Sequence, residues 1–183
     1  DFLAANYLVN PTFDPAVRTI SPDSWWIEVC SDDRVVGVQA IAIYRGVEFV
    51  EALSSGSLWW DAEAVPADFC GQAFDLPVHI AESWSHGGSM WVDPEWRDHR
   101  LAYLMTVLNR VRIFRDADVV WETGFVKAEM MNRRMLSYGI PPANRAPAFS
   151  GYLPFLNSEI TLYGCWMRLE EALAQLADIS EKT

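Results

Sequence analysis

Apolar and polar positions recur along this chain with periods that mark out most of a mixed α/β architecture. Trp25-Trp26-Ile27-Glu28-Val29-Cys30 and Val35 to Tyr44 are strand-like runs separated by the turn cluster Ser31-Asp32-Asp33-Arg34, which predicts an antiparallel hairpin. In the second run both alternating sets are largely apolar, so that strand is expected to be central and covered on both faces. His79 to Gly88 leads into a further strand ending at Val92, and Gly87-Gly88 suggests a bulge or a close backbone approach just before Met90. Leu101, Leu104, Met105, Leu108 and Val111 fall at helical spacing and predict a helix to Phe114 with one apolar face. A turn over Arg115–Asp118 and a strand over Val119–Phe125 complete a strand–helix–parallel strand unit. Such right-handed crossovers place ligand crevices at the strand C-termini. Ala128 to Ser137 reads as a helix stopped by Gly139 and Pro141-Pro142. Ile160–Met167 reads as a last strand, and Leu169, Ala172, Leu173 and Leu176 as one face of a closing helix.

Two stretches lack such periods. Residues 1–24 are rich in Pro, Asn, Asp and Ser with scattered apolar anchors, and read as a loop with at most a short helix. Residues 46–78 form a long connection containing Ser54-Ser55-Gly56-Ser57, Trp59-Trp60 and Pro66. Connections of that length are commonly functional or disordered. Its aromatic residues predict an ordered segment packed back on the domain, with a lid over a substrate as the other reading.

Composition narrows the class. With 183 residues and about half of them apolar, the chain suits one domain, 1–183, with a real core. A net charge of −11 argues against nucleic acid as a partner, since gripping phosphates needs a basic surface. It fits a cationic small substrate or simple solubility. Cys30, Cys70 and Cys165 show no ligand spacing, so no metal site or disulfide framework is expected. No run reaches membrane-spanning length and no signal-peptide pattern opens the chain. The expectation is therefore a cytoplasmic protein without a membrane partner.

The chemistry concentrates at the junction Ser89-Met90-Trp91-Val92-Asp93-Pro94-Glu95-Trp96-Arg97-Asp98-His99-Arg100-Leu101-Ala102. A helix opening directly off a buried strand leaves backbone N–H groups without partners. Together with the helix dipole they form a site for an anion such as a pyrophosphate. Arg97 and Arg100 would add charge. An Asp at such a junction also serves as an N-cap that fills those amides itself, and an Arg pair there is commonly solvated, so both readings remain open on spacing alone.

Val92-Asp93-Pro94-Glu95-Trp96-Arg97 followed by Leu101-Ala102 resembles the acyl-CoA signature of the GCN5-related N-acetyltransferases (GNAT). That signature is a strand, a Pro-containing turn and Arg/Gln-x-x-Gly-x-Gly/Ala opening a long helix. Arg97 matches its first position and Ala102 its last. Arg100 occupies the central glycine position and Asp98 stands where glycine is also common. Glycine lets a backbone approach phosphate; Arg100 can pair with phosphate instead, whereas Asp98 would repel it.

The resemblance spans roughly residues 25–140 and implies a GNAT-like α/β fold, a central mixed sheet flanked by helices, with 46–78 as an insertion. The family's first strand and two helices do not fit into residues 1–24, so that part is missing or replaced. It further implies transfer of an acyl group, typically acetyl from acetyl-CoA or another acyl-CoA, to a small-molecule or peptide amine by direct attack. The cofactor would be held by Met90, Trp91, Val92, Arg97, Asp98, His99, Arg100, Leu101, Ala102 and Asn132. Tyr138 would protonate the departing thiolate, although its spacing from Asn132 is one residue short of the family's. Glu82, His86 and Glu122 are candidates for the base, with His86 closest to the required pKa without tuning. Paired or solvated Glu and locally bonded His are the ordinary alternatives. The assignment leaves room for a homodimer. A module of the same fold whose cofactor loop has decayed is the rival reading.

Overall fold

The computed structural model describes residues 10–128, 131 and 139–180. Its strands are β1 (Trp25–Ser31), β2 (Arg34–Arg45), β3 (Cys70–Ala73), β4 (Ser83–Val92), β5 (Trp121–Lys127), β6 (Arg145–Leu153) and β7 (Ser158–Arg168). The helices are α1 (Phe49–Ser54), α2 (Leu101–Asp116) and α3 (Leu169–Ser180). All strands join one seven-stranded sheet in the order β1-β2-β4-β5-β7-β6-β3. β4 and β5 run parallel and the other neighbours antiparallel. This is the mixed sheet flanked by helices that the resemblance implies.

β2 is the central strand expected of it. Every residue from Val36 to Tyr44 is buried, and its alternate residues serve two cores. Ala40, Ala42 and Tyr44 join Phe49, Trp59, Trp84 and Phe149 on one side, while Ile41 and Ile43 join Ile113, Val119 and Leu169 on the other. The β1–β2 hairpin closes over Asp32-Asp33, with Asp32 at φ 51 supplying the left-handed turn residue.

α2 begins where the pattern places it, but its faces are exchanged. Leu101 and Met105 are buried, whereas Leu104, Leu108 and Val111 are 48%, 55% and 48% exposed. The inward face instead carries Thr106, Asn109, Arg110 and Ile113. The reason is matched polarity beneath the helix. Asn109 accepts a hydrogen bond from Trp25 Nε1 (2.8 Å) and donates to Gln39 Oε1 (2.8 Å). Arg110 Nε meets Glu122 Oε2 at 2.6 Å. Polar groups with partners tolerate burial that lone ones would not.

The insertion settles as packing and not as a lid. Trp59 and Trp60 are 1% and 4% exposed, in ring contact with Phe69, Phe149 and Phe155. It also contributes α1 and the short β3, which pairs with β6 on the sheet edge. β3 is only four residues long and contains Gly71, too short to show a period. β6 holds Pro147, which sits at a register shift between Pro147 and Phe149, the setting in which a sheet accepts proline. Among its described residues the N-terminal segment holds one short 3-10 turn, Pro11–Phe13, laid against the sheet. Cys30 and Cys70 are exposed, Cys165 is buried, and all three are free thiols.

Candidate functional site

The site is built where β4 leaves its neighbour. β4 and β5 pair from Trp84↔Trp121 to Gly87↔Gly124. Beyond that point β4 continues to Val92 along β2, and β5 continues to Lys127 along β7. The pairing of β2 with β4 steps from Ala40↔Gly88 to Val38↔Trp91, so Gln39 faces two residues, Ser89 and Met90. This is a β-bulge, with Ser89 at φ 47. It falls directly after the Gly87-Gly88 pair from which the sequence predicts it. Gly88 is required there by a close approach: a Cβ would lie 2.7 Å from the ring of Phe13. The N-terminal turn is thus seated on the parting strands.

Past Val92 the chain makes a 3-10 turn over Pro94–His99. Asp93 Oδ1 accepts from the Glu95 amide at 3.0 Å, and Arg34 from the hairpin tip reaches Asp93 Oδ2 at 2.6 Å and Glu95 Oε2 at 3.0 Å. The Glu95 amide, then Arg34 and Arg97, hold the Asp93 carboxyl below its ordinary range. Asp93 therefore caps this turn and not α2. Arg97 Nε donates to Val92 O at 3.3 Å. Arg100 then precedes α2 in the left-handed conformation, φ 56 and ψ 21, and no side chain caps the helix. That backbone explains the resemblance at this position: it is one glycine adopts without cost, and Arg100 adopts it at about 1 kcal/mol or more. Arg97, His99 and Arg100 are exposed beside the helix start, Leu101 is buried and Ala102 half-buried. Met90, Trp91 and Val92 lie on the bulged end of β4, so the structure gathers most of the proposed cofactor residues at one place. The side chain of Asp98, and Asn132 and Tyr138 altogether, lie outside the described residues.

The candidate bases are not brought together. Glu82 is exposed and precedes the first residue of β4, about 17 Å of extended chain from Gly87; it is too far back along the strand to reach the fork. Glu122 lies on the α2 side of β5, bonded to Arg110, whose side chain is 2% exposed against 13% for Glu122. Its carboxylate is committed to that pair. His86 faces the opposite side, fully buried among Phe49, Trp84 and Phe125. Thr123 donates its hydroxyl proton to Ser85 O (2.8 Å), so its oxygen accepts from His86 Nδ1 (3.0 Å). That fixes the neutral tautomer with the lone pair on Nε2. Burial, and secondarily the charge of Arg18, push the His86 pKa down to about 3. The residue singled out for its untuned pKa is the one most strongly tuned.

Sequence reasoning did not single out Gln39, Asn109, Arg110, Thr123 or Arg18. A polar residue inside an otherwise apolar strand, such as Gln39, is the signal that was available for the first. Thr123 offered none. Among the described residues no group of His, Cys, Asp and Glu could hold a metal ion, and no helix is long and apolar enough to cross a membrane.

No protein-family model and no curated protein sequence matches the chain. Solved structures do. FeeM, an N-acyl amino acid synthase from uncultured soil microbes, superposes with a TM-score of 0.53 at 10% identity, covering 95% of this chain and 82% of that one. NAA60 of Arabidopsis thaliana, solved in complex with acetyl-CoA, gives 0.52 at 11% identity over 82% and 78% of the two chains. Joined to the bulged β4, its parting from β5 and the turn into α2, these likenesses show that the chain has the GNAT fold.

Proposed function

We propose that this protein is an acyl-CoA-dependent N-acyltransferase. The observation that carries the reading is the fork: β4 bulges at Ser89–Met90 and parts from β5 ahead of the Pro94–His99 turn and the uncapped start of α2. The uncapped helix start and Arg97 suit a diphosphate, and the fork suits the extended pantetheine arm, taken up in the manner of an added strand. That FeeM is an N-acyl amino acid synthase and that NAA60 was solved with acetyl-CoA supports the same class. Acetyl is one acyl group among those the reading allows.

In the reaction the amine lone pair attacks the thioester carbon, the C–S bond breaks, and the thiolate leaves with a proton. Main-chain N–H groups of the Met90–Val92 stretch serve the oxygen that gains charge. Tyr138 keeps the proton-donor role the resemblance gives it. His86, held neutral, and Glu122, held by Arg110, act as positioning residues: the first bonds β4 to β5 below the fork and the second fixes α2 over it. The amine enters unprotonated and gives its proton to water.

The decayed-module reading draws on Asp98 and Arg100, which stand where glycine admits phosphate. Thermal unfolding with and without acetyl-CoA, and with a medium-chain acyl-CoA, separates the two. Ligand at 100 times its dissociation constant should stabilise by about 2.7 kcal/mol, and Arg97→Ala should weaken that binding at least several-fold. Binding without release of free thiol in the presence of amines would favour the module. No stabilisation at millimolar acyl-CoA would sink the transferase and favour the module.

A further inference from the structure

Ser89 burdens the fold in two ways at once. It opens the β4 bulge in the left-handed conformation, φ 47, at a place that glycine fills without strain. Two glycines stand immediately before it, yet the strained position itself holds a serine. Its Oγ is also enclosed and has no hydrogen-bond partner. Among the described residues Thr12 Oγ1 is the one other buried side-chain oxygen in that condition, and Ser89 alone combines it with a left-handed backbone. A buried hydroxyl without a partner destabilises the folded state, and so does a side chain at positive φ. Glycine would remove both burdens, so the use of this side chain lies outside stability.

Its place indicates that use. The pairing of β4 with β5 ends at Gly87↔Gly124, so Ser89 lies two residues past the parting, about 7 Å along the strand. It directly precedes the Met90–Val92 stretch whose main chain the transferase reading sets against the thioester oxygen. A serine becomes a nucleophile when a base takes its proton. Ser89 bonds to none, and His86 and Glu122 are committed to Thr123 and Arg110. The hydroxyl therefore keeps its proton and has it to donate. Ser89 as a whole is half-buried, and its Oγ hangs on a single torsion with staggered settings about 120° apart.

We propose that Ser89 is a further catalytic residue of the acyl transfer: with acyl-CoA in the fork its hydroxyl turns to the thioester carbonyl and donates a hydrogen bond to the oxygen as charge builds there. The inference rests on the transferase reading. Ser89 adds to the main-chain donors, and no bond to it forms. The amine nitrogen attacks the carbon, the C–S bond breaks, and the serine retains its proton throughout. Because the hydroxyl has no partner to leave, it serves the transition state without giving up a contact in the ground state.

The test follows thiol release with acetyl-CoA and octanoyl-CoA, each against n-butylamine, glycine and glycylglycine, in the unaltered protein and in Ser89→Ala and Ser89→Gly. Both variants should lower kcat at least tenfold and change the KM for acyl-CoA less than twofold, since the donor acts on the transition state alone. Both should also raise the melting temperature, because the lone buried hydroxyl is gone, and Ser89→Gly relieves the backbone as well. A residue that merely shapes the bulge gives another pattern: activity survives in Ser89→Gly, or activity and melting temperature fall together. Either of these, or an unchanged kcat in both variants, overturns the catalytic role and leaves the transferase reading standing. No thiol release from the unaltered protein with any of these amines, despite binding of acyl-CoA, overturns the two together.

Discussion

On the insertion side of the sheet Trp59, Trp84, Phe49 and Phe149 are at most 1% exposed and pack ring on ring; on the α2 side Gln39, Asn109, Arg110 and Glu122 form bonded polar pairs under the helix. The first side is held chiefly by area removed from water, with single bonds such as His86–Thr123 and Trp84 Nε1 to Val47 O set into it. The second is held by directional contacts, so each group matters through its partner. A helix can therefore bury its polar residues and turn Leu104, Leu108 and Val111 outward when the sheet beneath offers complementary groups.

The sharpest break of this contrast is at the ion pair. Arg110→Ala leaves Glu122 half-buried without its partner and should cost about 3–5 kcal/mol, read by chemical denaturation. The double variant Arg110→Met with Glu122→Leu should recover most of that loss. If the double variant is as unstable as the single one, packing around Arg110, and not its charge, holds α2 in place.

The aromatic side is probed by pH. His86 has an ordinary pKa near 6.5 when unfolded and about 3 in the fold. Between those values the unfolded chain takes up a proton that the folded one refuses, so stability falls as pH drops through that window. The slope should approach about 1.4 kcal/mol per pH unit. His86→Gln should flatten it, measured by melting temperature between pH 7 and 4. An unchanged slope would assign the acid sensitivity to carboxylates such as Asp61 and Asp93, whose pKa values are lowered. The smallest effect is expected at the outer stripe: Leu108→Gln should change stability by no more than about 0.5 kcal/mol. A large loss there would mean that the helix faces are not divided as described.

What could be read from the sequence follows the same division. The hairpin, the central β2, the Pro94 turn and the start of α2 are written locally, in period two, in turn residues and in helical spacing. β3 and β6 are not, because Gly71, Pro147 and Gly151 break the pattern and their pairing is set by distant chain. At the junction the bulged strand was legible because the Gly87-Gly88 pair marks a close backbone approach, whereas Arg97 and Arg100 were singled out through the family resemblance. The base was not legible. Whether Glu122 is available depends on Arg110, and whether His86 titrates depends on Thr123 and the rings around it. A carboxylate's partner and a ring's solvent access belong to tertiary structure.

β3 has a consequence for anyone trimming this protein. Cys70–Ala73 covers the outer row of β6 backbone groups, and Gly71 lies so close that a Cβ there would strike Phe149 at 2.4 Å. Excising the insertion as a dispensable decoration would uncover that row and invite strand-to-strand stacking between molecules. Precipitation of such a shortened chain would then report an unsheathed rim together with the loss of Phe49 and Trp59 from the core.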